Sequence, residues 1–154
     1  MTGESLEVTK KHITRVKQLL NNFAVVIVER GERHDASKFT PAEQGPLDEM
    51  QKLVNEKGQV PFGSPEYEER KKILEPMLVH HYANNSHHPE HYVNGIDGMD
   101  LFDIVEMFND WKAASERGEE SEMNLTEACK RYNVSPQLET IFKNTTLRNG
   151  WRYK

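Results

Sequence analysis

The sequence predicts an all-α fold, and three observations carry that reading. Apolar residues recur at the three- and four-residue spacing of amphipathic helices along most of the chain. Most of those stretches are preceded by a helix-opening signature, a Ser, Thr, Asn or Asp followed by proline or by an acidic residue three positions on. No segment reads convincingly as a strand. About six helices are expected, forming one domain over residues 1–154 in which the C-terminal helices of 124–148 pack on the rest.

Residues 5–30 read as one long helix, with Ile13, Val16, Leu20, Phe23 and Ile27 on one stripe and Lys10, Lys11, Arg15 and Lys17 largely opposite. The run AVVIV at 24–28 has strand-like β-branching, but it continues the helical stripe. Gly31 is the natural stop. Thr40-Pro41-Ala42-Glu43 then supplies an N-cap, a proline at the first helical position and a capping-box glutamate for a helix to about Lys57. The stretch 58–63 reads as a loop, and Ser64-Pro65 opens another helix, which Pro76 kinks or breaks. Residues 84–99 are the longest turn-rich segment. Asp100 caps the helix LFDIVEMFNDWKAASER, Asn124 with Glu127 opens a short helix to about Tyr132, and Ser135-Pro136 opens the last.

Composition bounds the function. A chain of 154 residues with 36 % hydrophobic residues suits one core. No apolar run approaches the ~18–20 residues of a membrane span, and the N-terminus MTGESLEVTKKH has no signal-peptide core. The single cysteine, Cys129, excludes an internal disulfide and fits a reducing cytoplasm. A net charge of -5 argues against an extended nucleic-acid surface.

The most unusual feature is the histidines. There are seven, none after His91, and His80, His81, His87, His88 and His91 crowd into twelve positions. His34-Asp35 places an imidazole beside a carboxylate, and His12 lies upstream next to the apolar stripe. On the helix after the histidine-rich segment, Asp103, Glu106 and Asp110 share one edge at i, i+3, i+7 spacing. Mixed nitrogen and oxygen donors suit Mn, Fe, Co, Ni or Zn, as one ion or two, better than Ca or Mg. Lys38, three residues after Asp35, suits a phosphate oxygen or a carboxylate partner, and Arg33, Lys112 and Arg117 are candidates for the same task. His91 reads as a loop residue or substrate contact, Trp111 and Tyr92 as packing residues, and Cys129 as inert core.

The order H…HD…H…H…D across successive helices resembles the HD-domain metal-dependent phosphohydrolase superfamily. His12-Ile-Thr-Arg-Val16 looks like its opening helix and His34-Asp35-Ala-Ser-Lys38-Phe39 like its central segment. Ile104-Val-Glu-Met-Phe-Asn-Asp110-Trp-Lys-Ala113 looks like its final helix, where an aspartate closes the metal site. His87-His88-Pro-Glu90 is similar to the paired histidines that bring a second metal in some branches. The resemblance covers about residues 10–117 and is closest to small bacterial and bacteriophage proteins of unassigned function. Ala36-Ser37 departs from the usual apolar-glycine pair.

The resemblance implies an HD-like helical domain that hydrolyses a nucleotide or other small phosphate ester. His12, His34, Asp35 and Asp110 would hold a divalent metal, completed or doubled by two or three of His80, His81, His87 and His88. Asp35, Lys38, Asp103 and Glu106 would serve catalysis, with Lys38, Arg33 and Lys112 on the substrate. Two alternatives stand beside it. One is a di-iron oxygenase on the same ligands. The other is a non-catalytic, metal-stabilised module that binds a partner through loop 58–63 or the C-terminal NTTLRNGWRYK. A homo-oligomer is compatible with all three.

Overall fold

The computed structural model describes residues 3–61, 63–117 and 121–154. Seven α-helices account for most of them: α1 (Gly3–Arg33), α2 (Pro41–Lys57), α3 (Pro65–Ile73), α4 (Glu75–Asn84), α5 (Leu101–Ser115), α6 (Leu125–Arg131) and α7 (Pro136–Arg148). Short 3-10 turns occupy Ala36–Phe39, Pro89–His91 and Gly95–Gly98. Among the described residues the only strand-like pairing is an isolated parallel bridge between Met123 and Tyr153. The all-α class is therefore the observed one.

The chain divides into two units, Met1–His34 and Asp35–Lys154. The first is α1, a single helix of 31 residues. It carries the predicted apolar stripe, but this unit holds no second element on which the stripe could pack. The helix also runs through Gly31, the expected stop. Left-handed backbone comes four residues later, at Asp35 with φ 55 and ψ 22. A left-handed residue cannot continue a right-handed helix, and aspartate is one of the few non-glycine residues that tolerates that conformation.

The second unit begins at that turn. Its core lies among α5, α6, α7 and the C-terminal residues: Met107, Phe108, Met123, Leu125, Cys129, Val134 and Phe142 are buried together. Phe108 stacks on Phe142 at 5.0 Å, and Trp111 stacks on Tyr132 at 5.7 Å. Trp111 is thus a packing residue, as its helical spacing predicts. Trp151 and Tyr153 pack against the same cluster. The backbone beside them is pinned by Met123 N donating to Arg152 O at 3.0 Å and Lys154 N to Met123 O at 2.9 Å. Within the C-terminal segment considered as a docking tail, Trp151 and Tyr153 are thus committed to the core, while Leu147 stays exposed. Phe62, in the loop considered for the same role, lies outside the described residues.

A second group of elements carries the histidines. α2 packs on α4 and on the turn Ala36–Phe39, and α4 packs on α3 and on the turn Pro89–His91. The single helix predicted from Ser64 breaks at Leu74, so that Pro76 falls in the first turn of α4, where its missing N–H has no helical partner to lose. Ser64 caps α3 by accepting from Tyr67 N at 3.1 Å. Asp100 and Asp103 form a reciprocal capping box at the start of α5: Asp103 N donates to Asp100 at 2.9 Å, and Asp100 N to Asp103 at 3.1 Å.

Candidate metal centre

Four side chains of the second unit converge. Asp35 stands at the entry turn, His81 on the inner face of α4, and His87 and His88 in the segment that follows. Each offers one ligand atom, and the four atoms lie within 4.8 Å of one another. His81 Nε2 is 3.3 Å from Asp35 Oδ1, His87 Nε2 is 3.5 Å from the same oxygen, and His81 Nε2 is 2.9 Å from His88 Nε2. Two ligands about 2.1 Å from one tetrahedral ion stand roughly 3.4 Å apart. The two distances to Asp35 match that spacing, and the contact between the two imidazoles is somewhat shorter. His81 and His87 are buried, while Asp35 and His88 are half-buried, so the group opens toward solvent on one side.

The far sides of the imidazoles decide what the near sides present. His81 Nδ1 lies 2.8 Å from Glu43 Oε2, and His87 Nδ1 lies 3.0 Å from Glu106 Oε1. An ionised carboxylate only accepts, so each ring donates its Nδ1–H outward. A ring in its neutral form, the form that ligates a metal, then turns its Nε2 lone pair inward, toward Asp35 Oδ1. Two imidazole lone pairs and a carboxylate oxygen facing one another repel unless a cation sits among them. Histidines held by carboxylates on the opposite nitrogen are the usual outer layer of a metal site. The donor set fits a divalent transition ion.

Electrostatics agree with that arrangement. Burial, with repulsion from His87 and His81, pushes His88 down from 6.5 to about 3, against the opposing attraction of Asp110 and Asp35. His88 is therefore a neutral ring at ordinary pH, as a ligand must be. Burial by itself would raise Glu43, but hydrogen bonds from His80, Ser37 and His81 outweigh it and hold the carboxyl below its usual value. The Ser37 hydroxyl also accepts from Asn85 Nδ2 at 2.7 Å.

The three carboxylates on one edge of α5 face the histidine segment, each with a different task. Asp103, only 2 % exposed, accepts from the hydroxyls of Ser86 and Tyr92, each at 2.6 Å. That makes it an anchor of the segment carrying His87 and His88. Glu106 holds the Nδ1 side of His87. Asp110 acts electrostatically on His88.

Lys38 reaches Asp35 Oδ2 at 2.5 Å, as its spacing predicts. Lys112 corrects the substrate-contact expectation. It is buried, donates to Ser121 O and Oγ at 3.2 Å each, pairs with Glu116 at 3.0 Å and lies over the Trp151 ring. Its position on the core face of α5, beside Trp111, gives it a packing role. His80 stands outside the converging group, with its Nδ1 bonded to Glu43 Oε1 at 2.7 Å. His91 donates to Tyr82 O at 2.7 Å from an exposed position. His12, Arg33 and His34 belong to the first unit, where Arg33 Nε donates to Glu29 O on its own helix at 3.3 Å. The cluster described here is built from the second unit alone.

Glu43 is the residue that sequence reasoning missed. Its position three after Thr40 satisfied a capping box, and no local pattern marks it otherwise. Yet Thr40 makes no side-chain cap, and its hydroxyl donates instead to Ser37 O at 2.7 Å. Glu43, 0 % exposed, turns inward to the two imidazoles. The adjacent pair His80-His81 on a later helix was the one available signal, since buried imidazoles call for carboxylate partners.

No curated protein and no solved structure matches this chain significantly. One family model does, over residues 1–148, and it is described as a family of unknown function, DUF5662. Because that match takes in both the long first helix and the whole histidine-rich segment, the chain belongs to the DUF5662 family.

Proposed function

We propose that the protein is a metal-dependent hydrolase of small phosphate esters, nucleotides among them, with its metal held by Asp35, His81, His87 and His88. The observation that supports this reading is the convergence of the Nε2 atoms of His81 and His87 on Asp35 Oδ1, with the His88 imidazole 2.9 Å from His81. A divalent ion held there would bring a bound water toward neutral pKa and stabilise charge on a phosphoryl oxygen. The remaining work falls to the chain. Asp110, whose charge acts on His88, would add negative charge beside the ion. Lys38 is one-third exposed on its side chain and already held beside Asp35, so its ammonium can meet a phosphate oxygen entering from solvent. Hydrolysis forms one P–O bond to the water oxygen, breaks the ester P–O bond and returns a proton to the leaving alcohol.

The test is metal content of untagged protein together with phosphate release from deoxy- and ribonucleotides, and monoester formation from cyclic nucleotides and phosphodiesters. Stoichiometric transition metal and phosphate release that is lost in His87→Ala support the proposal. Metal-free protein that is fully stable in chelator overturns it. Bound iron with oxygen uptake and no phosphate release moves the assignment to the oxygenase alternative.

A further inference from the structure

Glu43 is a carboxylate with no exposure, and its partners are two imidazoles and a hydroxyl rather than an arginine or lysine. Burying an ionised carboxyl is costly unless every lone pair is used. Here both oxygens are used by adjacent residues of α4: Oε1 by His80 Nδ1 at 2.7 Å and Oε2 by His81 Nδ1 at 2.8 Å. Adjacent residues on a helix point about 100° apart, so one carboxylate can meet both rings only by lying across the cleft between α2 and α4. The local alternative, capping α2, goes unused.

We infer that Glu43 is a positioning residue of the metal centre, committing His81 to bind through Nε2, and that His80 is no ligand but the group that orients Glu43. This inference rests on the metal reading above. Two geometric facts carry it. The bond from His81 Nδ1–H leaves the Nε2 lone pair no choice but to face Asp35 and His88. Donation from His80 to the other oxygen stops the carboxylate rotating away. Losing a carboxylate of this kind weakens metal binding by about 10- to 100-fold in comparable sites.

The experiment is cobalt(II) titration of apo protein, read by the visible absorption of the bound ion and by dissociation constant. Circular dichroism of each variant without metal is recorded in parallel. In Glu43→Gln the shape is kept but an amide N–H faces one of the two ring donors, so cobalt binding weakens about 10- to 100-fold and the spectrum changes. His80→Asn retains an N–H where Nδ1 stood and binds within about threefold of wild type, whereas His80→Leu weakens binding as the Glu43 variant does.

Wild-type affinity and spectrum in Glu43→Gln overturn the inference while leaving the metal reading intact. If Glu43→Gln does not fold, the His80 pair decides. Undiminished cobalt binding by His80→Leu overturns the inference, and so does a loss in His80→Asn as large as that of His81→Ala, because that marks His80 as a ligand. A wild-type protein that binds no cobalt sinks the metal reading and this inference together.

Discussion

The phenol of Tyr92 donates to Asp103 across 2.6 Å, tying the histidine-bearing segment to the first turn of α5. Asp103 also receives Ser86 at 2.6 Å, so the residues flanking His87 and His88 on both sides are held by one carboxylate. Tyr92→Phe removes a hydrogen bond to a buried charge and should destabilise the fold by about 1.5–3 kcal/mol, read from urea midpoints. Zinc affinity should fall as well, because the loosened segment carries two of the proposed ligands. Unchanged stability and affinity would show that Tyr92 is not an anchor.

The same tyrosine predicts sensitivity to substitution at Gly98. A methyl group there would lie 2.5 Å from Asn94 Oδ1 and 2.7 Å from Tyr92 Cβ. Gly98→Ala should therefore cost about 1–3 kcal/mol through overpacking, measured by thermal or urea unfolding. Gly31→Ala should do the opposite. The helix continues through Gly31 and a methyl there meets nothing within 4 Å. A gain of about 0.5–1 kcal/mol in helix stability is expected, visible as raised helicity. A loss of helicity would restore Gly31 as the end of α1.

Metal addition should stabilise the folded chain by mass action. Zinc at one hundred times its dissociation constant adds about 2.7 kcal/mol, and chelator removes it. The shift in melting temperature should vanish in His81→Ala and persist in His91→Ala, whose ring is occupied with Tyr82 O outside the cluster. Equal shifts in both variants would place the metal somewhere else.

Alkaline pH should weaken the fold before it weakens the helices as such. Burial pushes the Tyr82 phenol up to about 12, and burial with the Asp103 contact does the same for Tyr92, from 10.0 in each case. Between pH 10 and 12 the unfolded chain has lost protons that the folded chain keeps, so stability falls as pH rises through that window and is fully present below it. Tyrosinate absorbance should appear together with the loss of tertiary signal in Tyr92-containing protein. An ionisation of both tyrosines near 10 in the still-folded protein would contradict this.

Much of the fold could be read residue by residue. Asp100, Asn124 and Ser135 each cap the helix they precede, accepting from Asp103, Glu127 and Leu138 N. Helix periodicity and caps are interactions within four residues, which is why they are legible without a structure. The edge formed by Asp103, Glu106 and Asp110 was legible for the same reason. What each carboxylate does was not, because their partners Ser86, Tyr92, His87 and His88 lie on a segment whose path depends on packing.

The sequence by itself determined that the chain is helical, where most helices begin, and that its histidines gather with carboxylates between His34 and Asp110. Only the tertiary structure decided which of them meet. His80 and His81 are neighbours in sequence and both grip Glu43, yet only His81 brings its Nε2 to the cluster. Glu43 itself satisfies a capping pattern on paper but is turned into the cleft between α2 and α4. Local hydrogen bonds set the helices, whereas the choice between a capped α2 and a buried carboxylate depends on imidazoles 37 and 38 residues away in sequence. Long-range pairing of that kind has no periodic signature, and it is the pairing that gives the site its shape.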